Sequence, residues 1–253
     1  MRILCTNDDG FLAYGLECLV RAAEQIGEVT IVAPDREQSA TSHSLTLHHP
    51  LRPIKRADNR YQVDGTPTDC VMLAVEALMS VRPDFVLSGI NHGQNMGEDV
   101  LYSGTVAAAM EGLALGIPSI AISFAGGDLR ADISRLDEQI DVLAPLLRHL
   151  TSLPHFPRDT LLNINLPPLS REELRGVRLT RLGRRVYSNS IQPMHDPWGR
   201  EIYWIGGGDI SWEGGEDSDF QAIRDGYISL TPLHLDLTHR DILDTAETWW
   251  RNP

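Results

Sequence analysis

The sequence predicts an α/β protein: a mostly parallel sheet covered by helices on both faces, with a β-arm near the C-terminus. Three observations predict it. Short, almost wholly apolar runs alternate with helix-period segments through the first half of the chain, which is how strands buried on both faces read. Gly, Pro, Asn and Asp punctuate the junctions between them. From Val177 to Trp212 the texture changes to glycine, arginine and aromatic residues with only short strand signals.

Arg2–Thr6 is the first strand and runs into Asn7-Asp8-Asp9-Gly10. Gly15 to Ile26 follows with Leu16, Leu19, Val20 and Ala23 on one helical face, and Gly27 ends it. Val29–Ala33 is the second strand, closed by Pro34-Asp35. An insertion comes next, in which Leu45–Leu47 and Tyr61–Val63 pair as a small hairpin with Pro50 and Pro53 at its edge. Thr68-Asp69 caps a helix from Cys70 to Met79. Phe85–Ser88 is the third strand, stopping at Gly89-Ile90-Asn91. Ser103-Gly104-Thr105 opens a helix from Val106 to Leu115, which Gly116 and Pro118 end, and Ser119–Phe124 is the fourth strand. Asp137–Leu150 reads as a helix and Leu161–Leu166 as a strand entering Pro167-Pro168. Gly226–Leu230 returns as a strand, and Asp241–Trp250 is a terminal helix whose paired tryptophans form a docking contact. The chain divides into a body, residues 1–170, and a segment of arm, returning strand and terminal helix, residues 171–253.

Composition removes several function classes. With 42% hydrophobic and 23% charged residues the chain is ordinary for a folded protein. A formal charge of -13 repels nucleic-acid backbone and anionic membrane, and Arg184-Arg185 is too short a basic run to reverse that locally. Neither a nucleic-acid polymer nor a membrane is expected as partner. Cys5, Cys18 and Cys70 are an odd, sparse set, read as small buried hydrophobes in a reducing compartment. There is no basic-then-apolar leader and no apolar run of about 20 residues, so a cytoplasmic protein is expected.

In an open parallel sheet, ligands bind outside the carboxyl ends of the strands. Polar residues collect there: Asp8 and Asp9 after the first strand, Asp35, Arg36 and Ser39 after the second, Asn91 and Asn95 after the third. A dinucleotide site would place G-x-G-x-x-G at the first of these ends. Two carboxylates stand there instead, and unit charges ~4 Å apart repel a phosphate by about 4 kcal/mol at a surface-like dielectric. A divalent cation reverses that sign. Adjacent Asp oxygens, a hydroxyl and an amide oxygen form a hard set suited to Mg²⁺, Mn²⁺ or Ca²⁺ rather than zinc. The alternative, that Asp8 and Asp9 only cap the next helix, stays open at this point. Ser103-Gly104-Thr105 exposes backbone N–H groups at the positive end of a helix, a ready phosphate site, or else a plain Ser cap. Gly93 to Gly97 suits a loop closing over a ligand. Gly65-Thr66-Pro67-Thr68-Asp69 reads as a turn with a helix cap. His43 and His92 lie in the two site loops, each as an acid, a substrate contact or a solvated side chain. His48-His49 reads as surface.

Those residues carry a resemblance. Asn7-Asp8-Asp9-Gly10 with Gly15, Ala33-Pro34-Asp35-Arg36-x-x-Ser39, Gly65-Thr66-Pro67-Thr68-Asp69-Cys70, Ser88-Gly89-Ile90-Asn91-x-Gly93-x-Asn95 and Tyr102-Ser103-Gly104-Thr105-Val106 resemble the stationary-phase survival protein SurE family. The likeness continues through Thr180-Arg181-Leu182-Gly183, Asp196-Pro197-x-Gly199, Tyr203-Trp204-Ile205-Gly206 and Gly226 to Leu233. It implies a Rossmann-like body whose C-terminal arm is exchanged between subunits, giving a homodimer or homotetramer. It implies a metal-dependent phosphohydrolase acting on nucleoside 5′-monophosphates, often 3′-monophosphates, and in some members short polyphosphate. The metal ligands would be Asp8, Asp9, Ser39 and Asn91, holding one divalent cation per subunit, Mg²⁺ or Mn²⁺. Asn95, Ser103, Gly104 and Thr105 would hold phosphate. Two departures, Ala40 where members usually carry Gly and His43 where many carry Asn, bear on substrate preference.

The mechanism expected is in-line attack of water on phosphorus, with Asp8 or Asp9 orienting the water or accepting its proton. Direct nucleophilic attack by one of them stays open. Two other classes compete: a nucleotide sensor binding through the same metal without turnover, and an aspartyl-phosphate phosphatase. The latter wants a D-x-D spacing that adjacent Asp8-Asp9 does not offer.

Overall fold

The computed structural model describes residues 1–126, 129–157, 159–188, 191–206, 209–246 and 249. Its centre is β1 (Arg2–Thr6), whose alternating side chains part to opposite faces. Ile3 and Cys5 join one core with Leu16 and Leu19 of α1 (Tyr14–Ala23) and with Leu143 and Leu147 of α4 (Leu129–Thr151). Leu4 joins the other, with Cys70 and Val71 of α2 (Pro67–Leu73) and Ala108 of α3 (Gly104–Ala114). Helices therefore cover both faces, as expected. Arg21 and Tyr14 both reach Asp137, fastening α1 to α4.

On one side of β1 lie β2 (Glu28–Pro34), β4 (Arg60–Val63) and β3 (Pro53–Ala57); on the other lie β5 (Phe85–His92), β6 (Ser119–Phe124) and β7 (Thr160–Leu166). From β4 to β7 all neighbouring pairs are parallel. Beyond β7 the sheet takes in β13 (Ile228–His234), antiparallel to β7, and then β8 (Val177–Leu179) at the edge. The boundary expected at 170/171 falls in the connection between β7 and β8.

Among the described residues the arm holds two separate two-stranded antiparallel sheets. At its base β9 (Arg184–Ser188) pairs with β12 (Asp209–Glu213), and further out β10 (Ile191–His195) pairs with β11 (Glu201–Ile205). Helix α5 (Asp219–Arg224) follows the arm, and α6 (Leu243–Ala246) lies near the end. Of the terminal helix expected over Asp241–Trp250, residues 240–242 form a 3₁₀ turn; Trp249 is exposed and Trp250 lies outside the described residues. The three cysteines are buried and free. Among the described residues no helix is long and apolar enough to cross a membrane.

Three local expectations need correction. Leu45–Leu47 is not a strand: its stretch crosses the start of α2, with Thr46 N–H on Asp69 and the Thr66 hydroxyl on the Ser44 carbonyl. The strand is Pro53–Ala57, and Pro53 stands first on an edge strand, where its missing N–H costs nothing. The cap of α2 is Thr66 rather than Thr68: its side chain accepts from Asp69 N–H, the Asp69 carboxylate accepts from Thr66 N–H, and Pro67 takes the first helical position. The α-helix gives way to a π-turn at Ala74–Leu78. Finally, β5 does not stop at Ser88. Gly89, at φ 136°, lets the strand pass so close to β6 that a Cβ would lie 2.1 Å from the Ile122 carbonyl oxygen, and the strand resumes through Asn91 and His92.

A candidate active site at the sheet switch point

The chain leaves β1 for β2 on one side and later enters β5 on the other, so the carboxyl ends of β1 and β5 flank the point where strand order reverses. Crevices form at such points. Here the turn after β1 is built tightly. Asn7 Nδ2 donates to the Gly10 carbonyl, Phe11 N–H to Pro34, and Gly10 sits at φ 103° with Arg36 backbone 3.1 Å from where a Cβ would be. Gly15 allows the start of α1 to touch β5, since a Cβ there would meet the Ile90 carbonyl oxygen at 2.0 Å.

Asp9, Ser39 and Asn91 line one cavity of about 310 Å³, together with Glu37 and His92 and with an apolar wall that includes Tyr14, Ile90, Phe124 and Leu136. Asp9 Oδ2 accepts the His92 backbone N–H at 3.1 Å. The Ser39 hydroxyl donates to Glu37 Oε1 at 2.6 Å, and Asn91 Nδ2 donates to the Gly93 carbonyl at 2.8 Å, which leaves the acceptor oxygen Oδ1 as the other end of the amide.

Asp8 faces the other way. It is 5% exposed, and its carboxylate accepts the Thr105 hydroxyl at the start of α3. Gly104 makes that approach possible: a Cβ there would lie 2.8 Å from Asp8 Cβ. Ser103 caps α3 through its hydroxyl, which accepts Val106 N–H at 3.0 Å. Asp8 also holds the second loop, through its carbonyl on Gln38 N–H. Helix α1 starts from Ala13 with no side-chain cap, so Asp8 and Asp9 are not its caps.

Asn95 does not line the cavity. Its Nδ2 donates to Ser123 Oγ, and its backbone is clamped by Asn163 and Asn165. His43 is not simply solvated: its Nε2 meets Glu111 of α3 at 2.8 Å. His92 contributes its backbone to Asp9, while its Nε2 is buried without a partner. His48 and His49 are exposed.

The electrostatics ask for a cation. Burial pushes the Asp8 carboxyl up to about 6, opposed by the Thr105 hydrogen bond and reinforced by the Asp9 charge. Burial also raises Asp9, opposed by the His92 N–H and reinforced by Glu37. The leading charges acting on the two are other carboxylates, Asp9 on Asp8 and Glu37 on Asp9. The described residues hold no cluster of three His, Cys, Asp or Glu. Asp9, Glu37, Ser39 and Asn91 give the cavity an all-oxygen set of the hard kind that suits Mg²⁺ or Mn²⁺, while the neighbouring Asp8 carboxylate is turned to Thr105. Glu37 was missed in the sequence, though Asp35-Arg36-Glu37 stands in the loop that carries Ser39. Leu136 carried no signal, because only the packing of α4 brings it there.

A family model described as "Survival protein SurE" matches residues 3–189. The chain belongs to the SurE family. The family's curated members include a protein named "5'-nucleotidase SurE" from Gemmatimonas aurantiaca, 71% identical over 253 residues and covering all of both chains. Another of the same name, from Geotalea uraniireducens, is 48% identical over 98% of this chain and 99% of its own. Among solved structures, the SurE protein from Aquifex aeolicus superposes with a TM-score of 0.85 at 41% identity, covering 98% of this chain and 99% of that one. The family thus accounts for the mostly parallel sheet and for the order of motifs at its carboxyl edge.

Proposed function

We propose that this SurE-family chain is a 5′-nucleotidase. It hydrolyses nucleoside 5′-monophosphates to nucleoside and phosphate, with a divalent cation held by Asp8, Asp9, Ser39 and Asn91. The observation that carries this reading is the convergence of Asp9, Ser39 and Asn91 on one cavity, next in sequence to Asp8, which meets Thr105 at the start of α3. The name borne by the relatives at 71% and 48% identity supports the activity. We extend the proposal to 3′-monophosphates and short polyphosphate, and to assembly as a homodimer or homotetramer through the arm.

A bound cation supplies charge neutralisation and Lewis acidity at the phosphoryl group. This chain's own residues do the rest. Asp8 or Asp9 orients the attacking water or takes its proton. Gly104 and Thr105 offer backbone N–H groups at the positive end of an eleven-residue helix to the phosphoryl oxygens. The apolar wall of Tyr14, Phe124 and Leu136 gives the nucleoside a surface to lie on.

Phosphate release from AMP with Mg²⁺ or Mn²⁺ tests the reading. Release should stop in EDTA and return with excess metal. No release from any of a panel of 5′-nucleotides with either metal would refute it; tight nucleotide binding without release would point instead to a sensor. Asp8→Asn should lower kcat/KM at least about 100-fold, roughly 3 kcal/mol of transition-state stabilisation.

A further inference from the structure

The stretch from Asn91 to Ser103 joins the metal end of the site to the phosphate end, and the chain beyond β7 holds it at successive points. Gly97 N–H donates to Asp219 Oδ2, while Asp219 Oδ1 accepts the N–H groups of Gly183 and Phe220. Gly97 sits at φ 53° with the Phe220 ring 3.1 Å from where a Cβ would lie, so a larger residue there would be both strained and crowded. Arg185, at the base of β9, donates its backbone N–H to Glu98 and its guanidinium to both carboxylate oxygens of Asp99. Neither side chain of that pair is more than 17% exposed. The backbone carbonyl of the same Asp99 accepts the N–H groups of Tyr102 and Ser103. On its other side Arg185 lies over Trp212 of β12, and Trp212 stacks on Phe220.

A chain of contacts therefore runs from both strands of the arm, through Arg185 and Asp99, to the residue that caps α3. We infer that Arg185 is a positioning residue: through Asp99 it fixes the turn that presents Ser103, Gly104 and Thr105, tying the base of the arm to the phosphate end of the site. Its kinetic consequence rests on the hydrolase reading; its structural consequence does not. One guanidinium nitrogen, Nη1, meets both Asp99 oxygens, and a planar guanidinium held between a carboxylate and the Trp212 ring keeps an orientation that a compact ammonium lacks. Small misplacements of a phosphate-binding turn act on turnover more than on ground-state binding.

The test uses the full chain with Mn²⁺. Arg185→Ala should lower kcat about tenfold or more and change KM less than about threefold, with Mn²⁺ affinity by calorimetry unchanged. Arg185→Lys should recover only part of the loss, and Asp99→Asn should reproduce it. Arg181→Ala, which removes the exposed Arg181–Asp217 pair nearby, should leave kcat alone. Amide exchange over residues 97–103 should quicken in Arg185→Ala and Asp99→Asn but not in Arg181→Ala. If Arg185→Ala does not fold, Arg185→Lys and Asp99→Asn decide. The inference is overturned if these variants keep kcat within twofold, or if exchange over 97–103 matches wild type. Should wild type release no phosphate, the hydrolase reading falls and exchange alone decides the coupling.

Discussion

Asp8 is buried where a carboxylate is costly, and the cost is set by pH. Its carboxyl rises from 3.8 to about 6 in the folded chain, with burial as the largest cause. Between those values the folded state binds more protons than the unfolded state, so its stability falls as pH rises through that window. Above it the full penalty, about 3 kcal/mol, is present. Without metal, then, Asp8→Asn should melt higher than wild type at pH 7.5 in EDTA, and the gap should close towards pH 4. A variant that melts lower at pH 7.5 would show that the buried carboxylate is compensated within the chain. Ala40 is a second residue-scale test. It follows Ser39 at φ 56° on an exposed turn, a conformation that costs an L residue about 1 kcal/mol. Ala40→Gly should leave the urea midpoint unchanged or raise it, whereas Ala40→Val should lose more than about 1 kcal/mol, since branching at Cβ is poorly tolerated there. The preference for Gly at this position was legible as a motif; its cause, a left-handed backbone beside a candidate ligand, was not. The residue types at the strand ends were likewise readable from the alternation, because chain order alone delivers Asp9, Ser39 and Asn91 to one edge. That Asp8 turns to Thr105 while Asp9 turns to the cavity was not readable, since it depends on how closely α3 approaches through Gly104.

Among the elements, α2 shows how a cap can serve more than its own helix. The Thr66 hydroxyl accepts Asp69 N–H and donates to Ser44, so it ties the helix to the loop that carries Ser39 and His43. Thr66→Ala should cost about 1–2 kcal/mol in chemical denaturation, and Thr66→Ser should restore most of it. Equal stability of all three would mean that Asp69 caps the helix alone. The strands and helices that bury a full face were readable from their periodicity, as in β1, α1 and β6. Mistakes gathered where a non-local contact overrides the local signal. Gly89 looked like a stop because glycine usually is one, yet here it serves close packing against β6. Leu45–Leu47 looked like a strand because it is apolar and alternating, yet its polar groups are spent on α2.

For the whole molecule the arm poses the question of what completes it. Both strands of its outer half, β10 and β11, are exposed throughout, and Met194, Trp198, Tyr203, Trp204 and Ile205 lie open on it. A two-stranded ribbon is marginal in water on its own, and an exposed apolar patch of this kind marks an interaction surface. A second copy of the chain is the occupant we propose. Replacing residues 191–205 by a short Gly-Ser turn leaves β9 with β12, and with them the Arg185–Asp99 contact. Light scattering should then report a monomer where the full chain gives a dimer or tetramer. Turnover per site should stay within about threefold of wild type, because the turn before α3 keeps its anchor while only the intersubunit surface is lost. A full chain that scatters as a monomer would remove the second copy from the argument. A shortened chain that stays assembled would move the interface to another face of the body.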